Sequence, residues 1–238
     1  MVYDSVICGK IESAVKGSEI SIYGFSDLSV VENLPFPNLK TGITIGIALN
    51  PSIVKSLVSG PDREYAAEYS EVNRKLSEVA DDIKSFIAGL GYSAGIIPPT
   101  MPVNSKDELY SPFPHKTAAT LAGLGWIGKS ALLITKEFGA ALRITTIFTD
   151  APLKTGIPVE KSYCGGCTEC LKKCPAGAVS GKEWYPGLLR DDFWDGKACF
   201  EYSSKAGKSA GSNHPVCGIC IAVCPWTQGY LRRSLNEL

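Results

Sequence analysis

This sequence predicts an α+β fold in two parts, and three observations carry the prediction. Helix-period and strand-period segments follow one another irregularly through residues 1–158. One long amphipathic stripe dominates that stretch, over residues 62–90. Eight of the nine cysteines then fall between Cys164 and Cys224, inside residues 159–238.

The first part can be taken in chain order. Residues 4–16 read as helix, and 19–24 and 43–49 as strands, with a Pro-containing loop at 33–38 between them. Pro51 suits the opening of a short helix over 51–59, because its missing N–H has no partner at a helix start in any case. In the long helix Tyr65, Tyr69, Val72, Leu76, Val79, Ile83, Phe86 and Leu90 recur at alternating gaps of four and three. Such a stripe packs a core. Asp62 is its N-cap and Gly91 its stop.

Residues 92–97 read as strand, halted by Pro98 and Pro99. The loop 98–114 is long enough to suggest a functional segment. Residues 115–121 form a short helix, and 130–135 and 140–148 are β-rich runs split by a turn at 136–139, the pattern of a hairpin. Residues 150–162 link this part to the next.

Lys plus Arg and Asp plus Glu number 24 each, for a net charge of zero. That argues against bulk electrostatic binding of nucleic acid or an anionic membrane. No basic-then-apolar leader pattern opens the chain and no apolar run reaches membrane-span length, so a cytoplasmic protein with reduced thiols is expected. Lys172, Lys173, Arg232 and Arg233 flank the cysteine region, as a solvated face or a docking site for an acidic electron donor.

The cysteines have a pattern. Cys164, Cys167, Cys170 and Cys174-Pro175 form C-x2-C-x2-C-x3-C-P, the run found in bacterial ferredoxins. Cys217, Cys220 and Cys224-Pro225 repeat it one thiolate short, and Cys199 supplies the fourth. Two-residue gaps let one loop wrap a cubane with three thiolates, while the cysteine before Pro reaches the other cluster. The expected sets are Cys164, Cys167, Cys170 and Cys224 for one [4Fe–4S] cluster, and Cys174, Cys199, Cys217 and Cys220 for the other. Zinc sites pair two C-x2-4-C knuckles or mix in His, and disulfides need an oxidising compartment; neither suits this pattern. Cys8 stands apart and reads as an ordinary buried thiol.

Gly123, Gly125 and Gly128-Lys129-Ser130 match both the phosphate-binding loop and the dinucleotide fingerprint. Both motifs need a strand before and a helix after, so that phosphate sits on the helix N-terminus. Here the order is reversed. A turn where backbone closely approaches a flat cofactor or a cluster fits better.

Residues 114–129 (Pro-His-Lys-Thr-Ala-Ala-Thr-Leu-Ala-Gly-Leu-Gly-Trp-Ile-Gly-Lys), the Thr149-Asp150-Ala-Pro-Leu153 segment, the two cysteine runs and Cys224-Pro225-Trp226 together resemble epoxyqueuosine reductase, a family related to the corrinoid-dependent reductive dehalogenases. The likeness covers residues 112–230 closely; earlier it is limited to traces such as Tyr23-Gly24-Phe25. It implies a nitroreductase-like α/β core that binds cobalamin with its lower base detached, followed by a ferredoxin-like double-cluster domain, at 1–158 and 159–238. It also implies that the clusters bring cobalt to Co(I), which reduces the substrate, and that Gly123, Gly125, Trp126 and Gly128 lie against the corrinoid and the nearer cluster. Independently of the resemblance, neither His115 nor His214 lies in the D-x-H-x2-G pattern by which other corrinoid proteins ligate cobalt.

Three departures from the family pattern matter. Its acidic proton donor aligns with Leu109, so Glu108 and Tyr110 become the candidates, the latter because a tyrosine serves in the dehalogenases. His115 is not the family residue at its position; it reads as a general acid, a corrinoid contact or a packed helix-start histidine. The helical-repeat region that helps the family bind tRNA does not follow Cys224, so a small-molecule substrate is expected rather than tRNA. The expected protein is a cytoplasmic iron–sulfur reductase fed by a low-potential ferredoxin or flavodoxin. The alternative is an electron-transfer protein, or a corrinoid carrier or reductive activator, with no substrate chemistry of its own.

Overall fold

A computed structural model describes residues 3–101 and 109–236. In chain order its elements are α1 (Ser5–Lys16), β1 (Ile22–Asp27), β2 (Thr41–Ala48), α2 (Pro51–Ser56), α3 (Arg63–Gly89), β3 (Ala94–Ile97), α4 (His115–Leu121), β4 (Trp126–Ile127), β5 (Leu133–Ile134), β6 (Leu142–Thr149), α5 (Glu169–Lys173), α6 (Gly196–Ser209), α7 (Ile219–Ala222) and α8 (Pro225–Ser234). The Asp4 carboxylate accepts from the amides of Val6 and Ile7 and starts α1; Asp62 does the same for α3 through the amide of Tyr65.

Four strands form an antiparallel sheet in the order β1-β2-β6-β3. Side chains alternate across it. Ile43, Ile45 and Ile147 join Leu76, Ile83 and Ile87 of α3 in one buried cluster, whereas Phe148, the next residue along β6, joins Ala118 of α4 in a second. Burying each large apolar side chain contributes roughly 1.5–3 kcal/mol. The sheet is therefore covered on one face by α3 and on the other by α4.

Two expectations need correction. In the α3 stripe, Phe86 is 40% exposed and its neighbour Ile87 is fully buried. A strict four-three alternation repeats every 3.5 residues and drifts off a 3.6-residue helix by its end. The buried series takes an extra step of four at Leu76–Ala80 and so reaches Ile83 and Ile87. The expected 130–135/140–148 hairpin does not form as a strand pair. Its turn is present, closed by reciprocal amide bonds between Thr135 and Gly139 at 2.9 and 3.0 Å. Beyond it, β6 crosses to the main sheet, and β5 pairs backward with β4. The reason is steric. A Cβ on Gly125 would lie 2.1 Å from the Ile134 carbonyl oxygen, so only glycine lets the two backbones lie side by side.

The C-terminal helix returns to the first part of the chain. Tyr230 donates to the Leu49 carbonyl at 2.9 Å, and the Thr227 hydroxyl accepts from the Ala140 amide at 2.9 Å. One buried cluster includes Ile11, Ile45 and Leu76 together with Phe193, Val216 and Leu231. No helix among the described residues is long and apolar enough to cross a membrane.

Candidate functional site

Helices carry or border five of the eight cysteines: α5 holds Cys170 and ends at Cys174, α6 holds Cys199, α7 holds Cys220, and Cys224 caps α8 ahead of Pro225. Cys164, Cys167, Cys170, Cys220 and Cys224 line a cavity of about 190 Å³ with Lys129, Ser130 and Ile134. Among the described residues no three His, Cys, Asp or Glu side chains close on a point that would hold a single ion.

Burial pushes the Cys170 thiol up to about 11, and the neighbouring thiol groups of Cys164, Cys224 and Cys167 act in the same direction. Burial likewise pushes Cys199 up to about 12, with Cys217 and Cys174 adding to it. Burial pushes the Cys220 thiol well up too, with Cys199, Cys217, Cys170 and Cys174 adding to it. Backbone amides reach some of the sulfurs; Ala178 donates to Cys174 Sγ at 3.4 Å.

The glycine stretch lies on the sulfur side. α4 precedes it, β4 lies within it and β5 follows, so no helix N-terminus faces a phosphate there. Cβ atoms on Gly123 and Gly125 would meet the backbone of Ile157 and Ile134, while one on Gly128 would sit 3.6 Å from Cys164 Sγ. Trp126 is buried between the rings of Tyr163 and Trp226, at 5.2 and 5.1 Å. Of these four residues only Gly128 borders the sulfur cavity.

A second cavity, of about 570 Å³, lies on the other side of the β5 segment. Its walls are largely apolar, from Pro98, Phe113, Leu132, Leu133, Leu142 and Ile144, and its polar groups are Tyr110, Ser111, His115, Lys116, Arg143 and Arg190. None of Gly123, Gly125, Trp126 and Gly128 borders it.

His115 opens α4 with both ring nitrogens engaged, Nδ1 to the Thr146 hydroxyl and Nε2 to the Pro98 carbonyl, each at 3.1 Å. A carbonyl only accepts, so Nε2 carries the proton and Nδ1 accepts from Thr146. Burial lowers the imidazole pKa to about 4, so the ring is neutral at pH 7 and ties the start of α4 to β6 and the 98–101 segment. Lys116 donates to the Ala131 carbonyl at 2.5 Å, and burial, helped by Arg190, lowers its pKa to about 8. Arg143 is held by Asn73, Tyr69 and Thr100, the last at 2.7 Å.

Tyr110 is 69% exposed and donates to an Asp191 carboxylate oxygen, which raises the phenol pKa; the Arg190 guanidinium stacks 4.5 Å from its ring centre. Glu108 lies outside the described residues. Sequence reasoning missed Lys116, Arg143 and Arg190. Only Lys116, beside His115 at a helix start, offered a local signal.

The two cavities share a wall one chain thick. Ser130 and Ile134 face the sulfurs, and Leu132 and Leu133 between them face the large cavity. Cys220 and Ile221 divide in the same way.

Residues 163–227 match the family of 4Fe-4S double cluster binding domains, and all eight of these cysteines fall inside the match. The chain is 31% identical over 159 residues to an epoxyqueuosine reductase of Cyclobacterium marinum, covering 63% of this chain and 47% of that one. It is 30% identical over 190 residues to a tetrachloroethene reductive dehalogenase of Dehalobacter restrictus, covering 76% and 31%. The chain spans about half or less of the length of the curated relatives it matches. In structure it is similar to the catabolic reductive dehalogenase NpRdhA in complex with 3-bromo-4-hydroxybenzoic acid, with a TM-score of 0.72 and 19% identity over 95% of this chain and 33% of that one. It is also similar to an epoxyqueuosine reductase bound to an epoxyqueuosine-modified tRNA stem loop, with a TM-score of 0.62 and 17% identity over 93% and 65%. These last two likenesses concern the fold, an α+β core followed by a double-cluster region.

Proposed function

We propose that this chain is an iron–sulfur oxidoreductase that holds a corrinoid in the large cavity and reduces a small molecule there. The wall shared by the sulfur cavity and the large cavity is the observation that carries the reading. It supports one-electron transfer between a cluster held by Cys164, Cys167, Cys170 and Cys224 and whatever occupies the neighbouring space. The second cluster, on Cys174, Cys199, Cys217 and Cys220, receives electrons from a low-potential ferredoxin or flavodoxin.

The donor set fits a corrinoid without a histidine ligand, because both nitrogens of the one histidine lining the cavity are taken. Pro98, Phe113, Leu132 and Leu142 supply the apolar faces against which a flat macrocycle rests. When bound, the corrinoid supplies a cobalt centre of low potential. Each turnover takes two electrons and at least one proton. Tyr110 and Lys116 are the cavity's candidate acids, and Arg190 sits against both. The cavity's charged groups are all cations among the described lining residues, which favours an electron-rich or anionic substrate.

The test is an anaerobic titration of the cluster-loaded protein with cob(II)alamin, followed by electron paramagnetic resonance. A base-off cobalt signal saturating near one equivalent supports the reading. An unperturbed base-on signal leaves an electron carrier. An epoxyqueuosine-modified tRNA stem loop belongs in the same substrate screen, and its reduction would overturn the small-molecule assignment.

A further inference from the structure

Lys129, a basic side chain, is only 6% exposed. Its Nζ donates to the carbonyls of Gly165 at 2.7 Å and Cys167 at 3.0 Å, inside the first cysteine loop, and the residue lines the sulfur cavity. No carboxylate stands among these partners. A buried ammonium needs a countercharge, and the groups lining its cavity that can carry one are the sulfurs of Cys164, Cys167, Cys170, Cys220 and Cys224. A cluster held by four thiolates is an anion and becomes more negative when reduced.

The second set has a neighbour of opposite sign. Asp195 caps α6 one turn before Cys199, accepting from the Ala198 amide at 3.0 Å.

We propose that Lys129 is the fixed countercharge of the cluster held by Cys164, Cys167, Cys170 and Cys224, and makes it the easier of the two clusters to reduce. Electrons then settle on the cluster beside the large cavity, and Asp195 helps to push them off the other. This rests on the two-cluster reading and not on the corrinoid. Iron and sulfide content measured on the same samples separates a failure to load from a failure of the polarity.

The experiment is a redox titration of both clusters by electron paramagnetic resonance in the whole chain, comparing K129Q and K129R. K129Q keeps a donor and drops the charge. It should weaken reduction of the first cluster by about tenfold or more, 59 mV for a one-electron couple, and move the second cluster by less than about threefold. K129R should restore the wild-type midpoint. No shift in a fully loaded K129Q, or an equal shift in both clusters, overturns the proposal. Should K129Q lose the first cluster, its retention in K129R still supports a countercharge, whereas its loss in both leaves Lys129 a brace of the loop and overturns the assignment. The unaltered protein gives a second reading: with one electron added per chain, its spectrum should match that of reduced C199A, which keeps the first cluster only. A different spectrum overturns the polarity.

Discussion

The sulfur cavity gathers its cysteines from two short runs, whereas the large cavity draws its lining from Pro98 to Ile221 across a strand, a loop, a helix start and the cluster region. The first is a matter of local spacing, since three thiolates two residues apart reach one cubane wherever the loop sits. The second exists only once β6, α4 and the β5 segment are assembled. The difference teaches that the cofactor the sequence names most clearly is the one that depends least on the surrounding fold, and that the substrate side depends on it wholly.

The largest effect expected is on the sulfur side alone. C199A should lower bound iron from about eight to about four per chain, while the large cavity still takes its ligand. Iron that stays near eight would show that the ligand sets are misassigned.

Next is a change confined to the large cavity. The His115 pKa falls from the ordinary 6.5 to about 4 in the folded chain. Between those pH values the unfolded chain binds the proton first, so stability drops as pH falls from about 6.5 to about 4 and is unaffected by this group above 6.5. The loss approaches about 3 kcal/mol. In H115Q that part of the pH slope should vanish from denaturant melts, with iron content unchanged. Superimposable pH profiles for the two proteins would mean that the imidazole is not buried as described.

The shared wall is where the two regions should fail together. A Cβ on Gly125 clashes with the Ile134 carbonyl, so G125A should cost about 1–3 kcal/mol and loosen both the first cluster and ligand binding in the large cavity. Loss of one without the other would show that the wall is not common to both.

The smallest effect on stability is expected at Tyr110. Its hydrogen bond to Asp191 is at the surface, so Y110F should change stability by less than about 1 kcal/mol. If the phenol is the proton donor, turnover should fall by about 100-fold or more at unchanged iron content. Undiminished turnover would move that role to Lys116.

The two cysteine runs, the capping Asp62 and the first turns of the α3 stripe were legible because each is a pattern within a few turns of chain. The strand partners of 130–135 were not, since nothing local says that Gly125 clears the way for Ile134. Nor were the roles of Arg143 and Arg190, which are solvated-looking charges in sequence and cavity walls in space.

By itself, then, the sequence determined the cysteine types and their spacing and the boundaries of the helices before residue 122, since these follow from short-range geometry and from which atoms a side chain offers. Tertiary structure alone decided that β5 turns back onto β4, that its residues divide between two cavities, and that Lys129 is buried against the first cysteine loop. Those outcomes depend on which backbones can approach closely and which charges lose their water, and both are settled only when distant segments pack.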